Sequence, residues 1–114
     1  MALTSQQDSN TKKMGKVKIV ELVLFKLNEG VSLEEGKKSM KALSAFVQTQ
    51  PGFVSRKTSV SKDGHFLDLV FWTDLALAQQ ASEKAMQNED LLKHFSVINQ
   101  ETMTFDHFEV FHEE

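Results

Sequence analysis

The chain has 114 residues, 40% hydrophobic and 25% charged, with 13 Lys and Arg against 16 Asp and Glu. This composition suits one ordinary globular core rather than two, and the dispersed acidic surplus, with Arg56 the single arginine, argues against nucleic-acid binding. Cysteine is absent, which excludes disulfides, thiol nucleophiles and zinc–thiolate sites, and the longest apolar run, Ile19 to Phe25, is broken by Glu21 and falls short of the roughly 20 residues of a membrane span.

Residues 1–15 are polar and aperiodic. They offer too little apolar area to offset the entropy of ordering and read as a disordered tail. They hold no apolar segment of a secretory signal, so the expected location is the cytoplasm. Residues 16–114 are expected to form one domain. Lys16 to Leu27 reads as a strand that is apolar on both faces. Ile19, Val23 and Phe25 share one face with Glu21, and Val20, Leu22 and Leu24 line the other. Such a strand belongs in the middle of a sheet covered on both sides. Asn28-Glu29-Gly30 makes a turn, and Ser32 with Glu35 forms a capping box that opens a helix running to about Gln50. Pro51-Gly52 ends that helix.

Phe53 to Lys62 alternates polar residues with Val54, Arg56, Thr58 and Val60, the pattern of an edge strand. Asp63-Gly64 marks a hairpin turn into a third strand, His65 to Trp72, apolar on both faces apart from Asp68. Thr73 or Asp74 caps a second helix from Leu75 to Gln87. A short helical stretch follows from Glu89 to about Ile98, and Met103 to Phe111 is the fourth strand. The order β-α-β-β-α-β is that of the ferredoxin-like α+β fold: a four-stranded antiparallel sheet with helices on one face. Two helices cover one face only. The second apolar face predicts a two-fold homodimer with its sheets facing each other. Which set of residues meets the helices stays open, because a shift of one residue exchanges the two faces.

Val23 to Ser32 leading into a helix, Pro51-Gly52-Phe53 before the second strand, and Phe71-Trp72-Thr73-Asp74 after the third resemble the dimeric α/β-barrel superfamily over residues 16 to 112. Two branches fit: the stress-responsive A/B-barrel proteins and the antibiotic-biosynthesis-monooxygenase-like proteins. The resemblance implies a homodimer whose facing sheets close into a barrel, a ligand cavity inside each half, and chemistry that needs no metal or bound cofactor.

Glu21 stands out, since a carboxylate inside an apolar strand is desolvated and suited to proton transfer. In the stress-responsive branch its place is often taken by a histidine that faces the cavity in relatives with cyclase activity. The structural alternative is that Glu21 pairs with a basic side chain across the sheet or dimer. Asp68 is the second polar break, and it approaches Glu21 if the first and third strands are neighbours on a common face; paired carboxylates can divide acid and base roles. His94 lies near the region where cyclase-like relatives carry a catalytic His-Pro-x-His. That pattern is absent here, and so is the Asn-Trp-His set of haem-degrading relatives. Trp72 reads as core packing or as a cavity wall stacking on a flat ligand, with Phe25 beside it. Arg56 is a candidate to neutralise a carboxylate or to hold an anionic group. His107 and Glu109 share a face of the last strand at a spacing compatible with a metal only if a third ligand comes from elsewhere, so no metal site is assigned.

Two functions compete. One is a cofactor-free monooxygenase- or cyclase-like enzyme that binds a small hydrophobic or aromatic compound and uses Glu21, helped by His94 or Asp68, for acid–base chemistry. The other is a noncatalytic, stress-related homodimer with a packed lumen.

Overall fold

The computed structural model describes residues 16–114. The predicted tail lies outside them. Four strands, β1 (Ile19–Phe25), β2 (Phe53–Val60), β3 (Phe66–Trp72) and β4 (Thr104–Glu109), pair antiparallel in the order β2-β3-β1-β4. The two strands that are apolar on both faces, β1 and β3, are the central ones, and β2 is an edge. This is the expected ferredoxin-like sheet. Four helices pack on one face: α1 (Leu33–Ala42), α2 (Ser44–Val47), α3 (Leu75–Met86) and α4 (Glu89–Phe95). A single 3₁₀ turn, Gln100–Thr102, precedes β4.

Local chemistry sets the helix ends. Ser32 Oγ accepts from the Glu35 N–H at 3.1 Å and its hydroxyl donates to Glu35 Oε1 at 3.1 Å, so the predicted pair meets side chain to side chain. Asp74 accepts from the Leu77 N–H at 3.0 Å. Asn88, between α3 and α4, caps α4 by accepting from the Leu91 N–H at 3.2 Å. Gly52 holds φ +86°, a left-handed value that favours glycine, and so lets the chain reverse into β2.

Two sequence expectations are corrected. The first helix does not continue to Gln50. It breaks at Leu43, whose N–H bonds to Met40 O at 3.2 Å in a tightened turn, and the redirected Ser44 side chain reaches Arg56. The alternation along β2 is also interrupted. A bulge between Phe53 and Ser55 inserts Val54, which lets both Phe53 and Arg56 face the helices.

The helix-facing side of the sheet is the one carrying Ile19, Glu21, Val23 and Phe25. One core cluster surrounds Phe25 and Phe66, whose rings stack 5.2 Å apart and 11° from parallel, together with Met40, Leu43, Leu91 and Ile98. A second surrounds Trp72, Val70, Ile19, Ala78 and Ala81, with Phe53 edge-on to Trp72 at 6.1 Å. The opposite side carries Val20, Leu22, Leu24, Leu67, Leu69 and Phe71, all half-buried. No helix among the described residues is long and apolar enough to cross a membrane.

Candidate functional site

Strand register brings Glu21, Arg56, Asp68 and His107, one from each strand, onto the helix-facing side. Val70 of β3 sits between Glu21 on β1 and Arg56 on β2. Glu21 is in turn opposite His107 on β4. Asp68, two residues before Val70, is opposite Val23 and Thr58, so it shares the face with Glu21 and lies diagonal to it. The predicted approach of the two carboxylates is therefore present, but each has its own basic partner.

Arg56 and Asp68 form a bidentate pair. Arg56 Nε donates to Asp68 Oδ1 and Nη2 to Oδ2, both at 2.9 Å, while Nη1 donates to Ser44 Oγ at 3.0 Å. The Thr58 hydroxyl adds a contact to Asp68 Oδ1 at 3.3 Å. Both charged side chains are buried, at 7% and 10% exposure. The sequence left Arg56 two tasks, and neutralising a carboxylate is the one the geometry fills. A planar fork matched to a carboxylate is the arrangement that best offsets burial of both charges.

Glu21 is held differently. Its Oε1 lies 3.0 Å from His107 Nε2 and has no arginine near it. Loss of water raises the Glu21 carboxyl above its ordinary value. The hydrogen bond and charge of His107 oppose that rise, the nearby Asp68 adds to it, and the neighbouring Trp72 N–H opposes it. Trp72 itself is 1% exposed. Its Nε1 comes close to the Glu21 carboxylate without reaching hydrogen-bonding geometry, and it has no partner among the described residues. A buried, unpaired N–H is costly, and such groups demand an explanation.

These groups line a cavity of about 170 Å³ between the sheet and the helices. Glu21, Arg56, Asp68 and Trp72 form its sheet wall. Phe25 closes part of that wall, and the helical side is apolar, with Met40, Ala81 and Leu91 among its residues. Cavities of roughly 150 Å³ bind benzene, so one aromatic ring fits. Met86, Gln100 and Phe105 also line the cavity and are solvent-exposed, which puts its mouth between the end of α3 and the start of β4.

Of the residues singled out from sequence, Glu21, Asp68, Arg56, Trp72 and Phe25 meet at this cavity. His94 does not. It is half-buried in the last turn of α4 and absent from the cavity wall. From sequence, His107 reads only as a strand residue or, with Glu109, as a metal ligand; a basic partner for Glu21 across the sheet is expected, but not that His107 supplies it. The signal was present as two polar residues on inward positions of strands that neighbour in this fold, but the register of β4 was needed to join them.

No protein-family model and no curated protein sequence matches the chain. Solved structures do. SnoaB, a cofactor-independent oxygenase from Streptomyces nogalater, superposes with a TM-score of 0.61 at 18% identity, covering 87% of this chain and 96% of its own. A monooxygenase from the ActVA-Orf6 gene of Streptomyces coelicolor, in complex with nanaomycin D, gives 0.62 at 15% identity over 86% and 91%. A Deinococcus radiodurans protein provisionally assigned to the antibiotic biosynthesis monooxygenases gives 0.59 at 11% identity over 84% and 95%. The chain thus shares the α+β, ferredoxin-like fold of these proteins.

Proposed function

We propose that this protein is a homodimeric α/β barrel that binds a small hydrophobic or aromatic compound between its sheet and its helices, and that Glu21 exchanges a proton with that compound. The cavity carries the reading. It is apolar, it is the size of one ring, and its one labile carboxyl sits beside an unpartnered indole N–H. A ligand oxygen that accepts from Trp72 Nε1 resolves that unpaired donor. An acidic O–H or C–H beside that oxygen then faces Glu21. The carboxylate takes the proton, and the N–H supports the negative charge left on oxygen.

The oxygenase names of the structural neighbours favour a further step in the same site. A carbanion formed at an activated CH₂ reacts with O₂ without a cofactor. The carbon loses both hydrogens, one oxygen atom enters as a carbonyl, and the other leaves as water. The competing reading is a noncatalytic, stress-related dimer. It is favoured by the missing His-Pro-x-His motif and predicts a dimer without turnover. The dimer rests on the second face of the sheet, where Leu22, Leu69 and Phe71 are half-buried in the protomer and Phe108 is exposed. A cytoplasmic location belongs to this same reading.

Native mass spectrometry of protein purified gently from its host tests assembly and ligand together. A dimer that carries a defined extra mass, lost in a cavity-filling Ala85→Phe variant, is the expected result. Glu21→Gln should keep the ligand and lose turnover by on the order of 10²-fold or more. An empty protein that also fails to bind phenol or a similar single-ring probe overturns the binding proposal. A monomeric mass at micromolar concentration overturns the dimer.

A further inference from the structure

We infer that His107 is the proton conduit of the cavity, passing protons between the Glu21 carboxylate and solvent at the β4 edge of the sheet. The inference rests on Glu21 being the proton-exchanging group, and it explains how that group is reset.

Glu21 lies in the cavity wall, whereas His107 is not part of that wall and stands behind it. The two side chains are 11% and 15% exposed and touch through Oε1 and Nε2 at 3.0 Å. β4 is the outermost strand on that side. The other ring nitrogen, Nδ1, makes no hydrogen bond among the described residues and is not among their buried unpartnered atoms, so it meets water. The ring, 15% exposed, therefore has one nitrogen on the buried carboxyl and the other within reach of water. Phe105 packs edge-on against it at 5.3 Å and 81°, which limits how far the ring can turn.

Apart from water at the cavity mouth, the other protein groups offer no route for the proton. Asp68 is occupied by Arg56 through both oxygens, and arginine does not release a proton at accessible pH. The helices put no titratable side chain into the cavity wall. On His107's own strand, Glu109 shares the face but is opposite Ile19, one pair further along. The groups that face the pair are thus Asp68 and Arg56 from β3 and β2, and Glu109 from β4.

The step balances without a co-reactant. A proton on Glu21 Oε1 moves to the free lone pair of His107 Nε2, and the Nδ1 proton passes to water. This leaves a carboxylate and the Nε2–H tautomer. Exchange with solvent through the imidazolium restores the starting tautomer.

The test uses ligand-free full-length protein with ¹³C-labelled glutamate carboxyls, followed by NMR across pH. In the native protein, Glu21 should show a second inflection where His107 ionises, because coupled groups titrate as a pair. Near its midpoint it should give one exchange-averaged line. In His107→Gln, which keeps a hydrogen-bond partner but cannot ionise, the second inflection should vanish. Protonation exchange should slow by on the order of 10²-fold. His107→Ala should be equally slow and recover when imidazole is added, which a merely structural role does not predict. Fast exchange in His107→Gln, or no response of His107→Ala to imidazole, overturns the inference. The measurement needs no ligand, so a failure of the ligand-binding proposal would be seen separately in the mass spectra.

Discussion

Asp68 and Glu21 both carry buried carboxylates, their side chains 10% and 11% exposed, on the same face of the two central strands. Their surroundings give them different work. Asp68 receives two parallel N–H donors from a guanidinium that is itself anchored to Ser44. Glu21 faces one imidazole and a tryptophan N–H that stops short of bonding. The first corner is a fixed ion pair that ties β2, β3 and α2 together. The second places Glu21 in the cavity wall against His107 and is the corner we propose exchanges protons. Burial alone does not make a carboxylate reactive; the partner decides whether its proton is negotiable.

The strongest way to break this contrast is to remove the acid from the fixed corner. Asp68→Ala leaves Arg56 buried and unpaired and should cost about 3–5 kcal/mol, or abolish folding. Replacing both partners, as Arg56→Met with Asp68→Leu, should recover most of that loss, since it is the orphaned charge that is expensive. Urea denaturation of the single and double variants measures the difference. If Asp68→Ala loses less than about 1 kcal/mol, the corner is not the structural clamp described here. At the other corner His107→Phe leaves Glu21 without its partner. The expected cost is smaller, about 1–3 kcal/mol near neutral pH. It should shrink in acid, where Glu21 is protonated and the bare carboxylate no longer has to be buried.

The contrast was only half legible in the sequence. Alternation made Glu21 and Asp68 visible, because each interrupts a strand that is otherwise apolar, and the βαββαβ order made their strands neighbours. The partners were hidden for different reasons. Arg56 was readable as a candidate to neutralise a carboxylate, but not which one, and the bulge at Val54 that lets Phe53 and Arg56 face inward together leaves no mark in a pattern of alternating residues. Ser44 reaches Arg56 only because the helix breaks at Leu43, where neither proline nor glycine announces a stop. His107 depended on the register of β4, whose own residues are mostly exposed in the protomer and carry little hydrophobic pattern. The unpaired state of the Trp72 N–H is a matter of side-chain geometry and has no sequence signature.

Glu21→Gln sharpens the comparison through pH. The Glu21 carboxyl is raised in the folded protein, first by burial. The native state therefore binds more protons than the unfolded chain between the two values, and stability falls as pH rises through that window. Its contribution is complete below the unfolded carboxylate range, about 4.3, and is lost once the folded group ionises. Glutamine has no such dependence. The variant should melt a few degrees above the native protein at neutral pH, and the gap should close as the pH falls toward 4. Thermal melts across that range decide it. A gap that widens in acid would show that the ionised carboxylate, paired with a charged His107, is a net stabiliser.

The smallest effect expected is at Ser44. Ser44→Ala removes one of the three hydrogen bonds on Arg56, a loss of about 1 kcal/mol. Alanine is also the better helix former by a few tenths of a kcal/mol, and it no longer pulls the chain toward Arg56 at the α1–α2 break. The two changes oppose each other, so the net loss should stay below about 1 kcal/mol. In an Asp68→Ala background the same substitution should cost more, because the Ser44 hydroxyl is then one of the few remaining partners of the guanidinium. In a Glu21→Gln background its cost should change little, since Ser44 reaches Glu21 only indirectly, through Arg56 and the charge of Asp68. A double-mutant cycle over these three positions therefore reads the independence of the two corners directly. Coupling between Ser44 and Glu21 as large as that between Ser44 and Asp68 would mean that the cavity wall behaves as one network, and that the fixed and labile carboxylates are not separable.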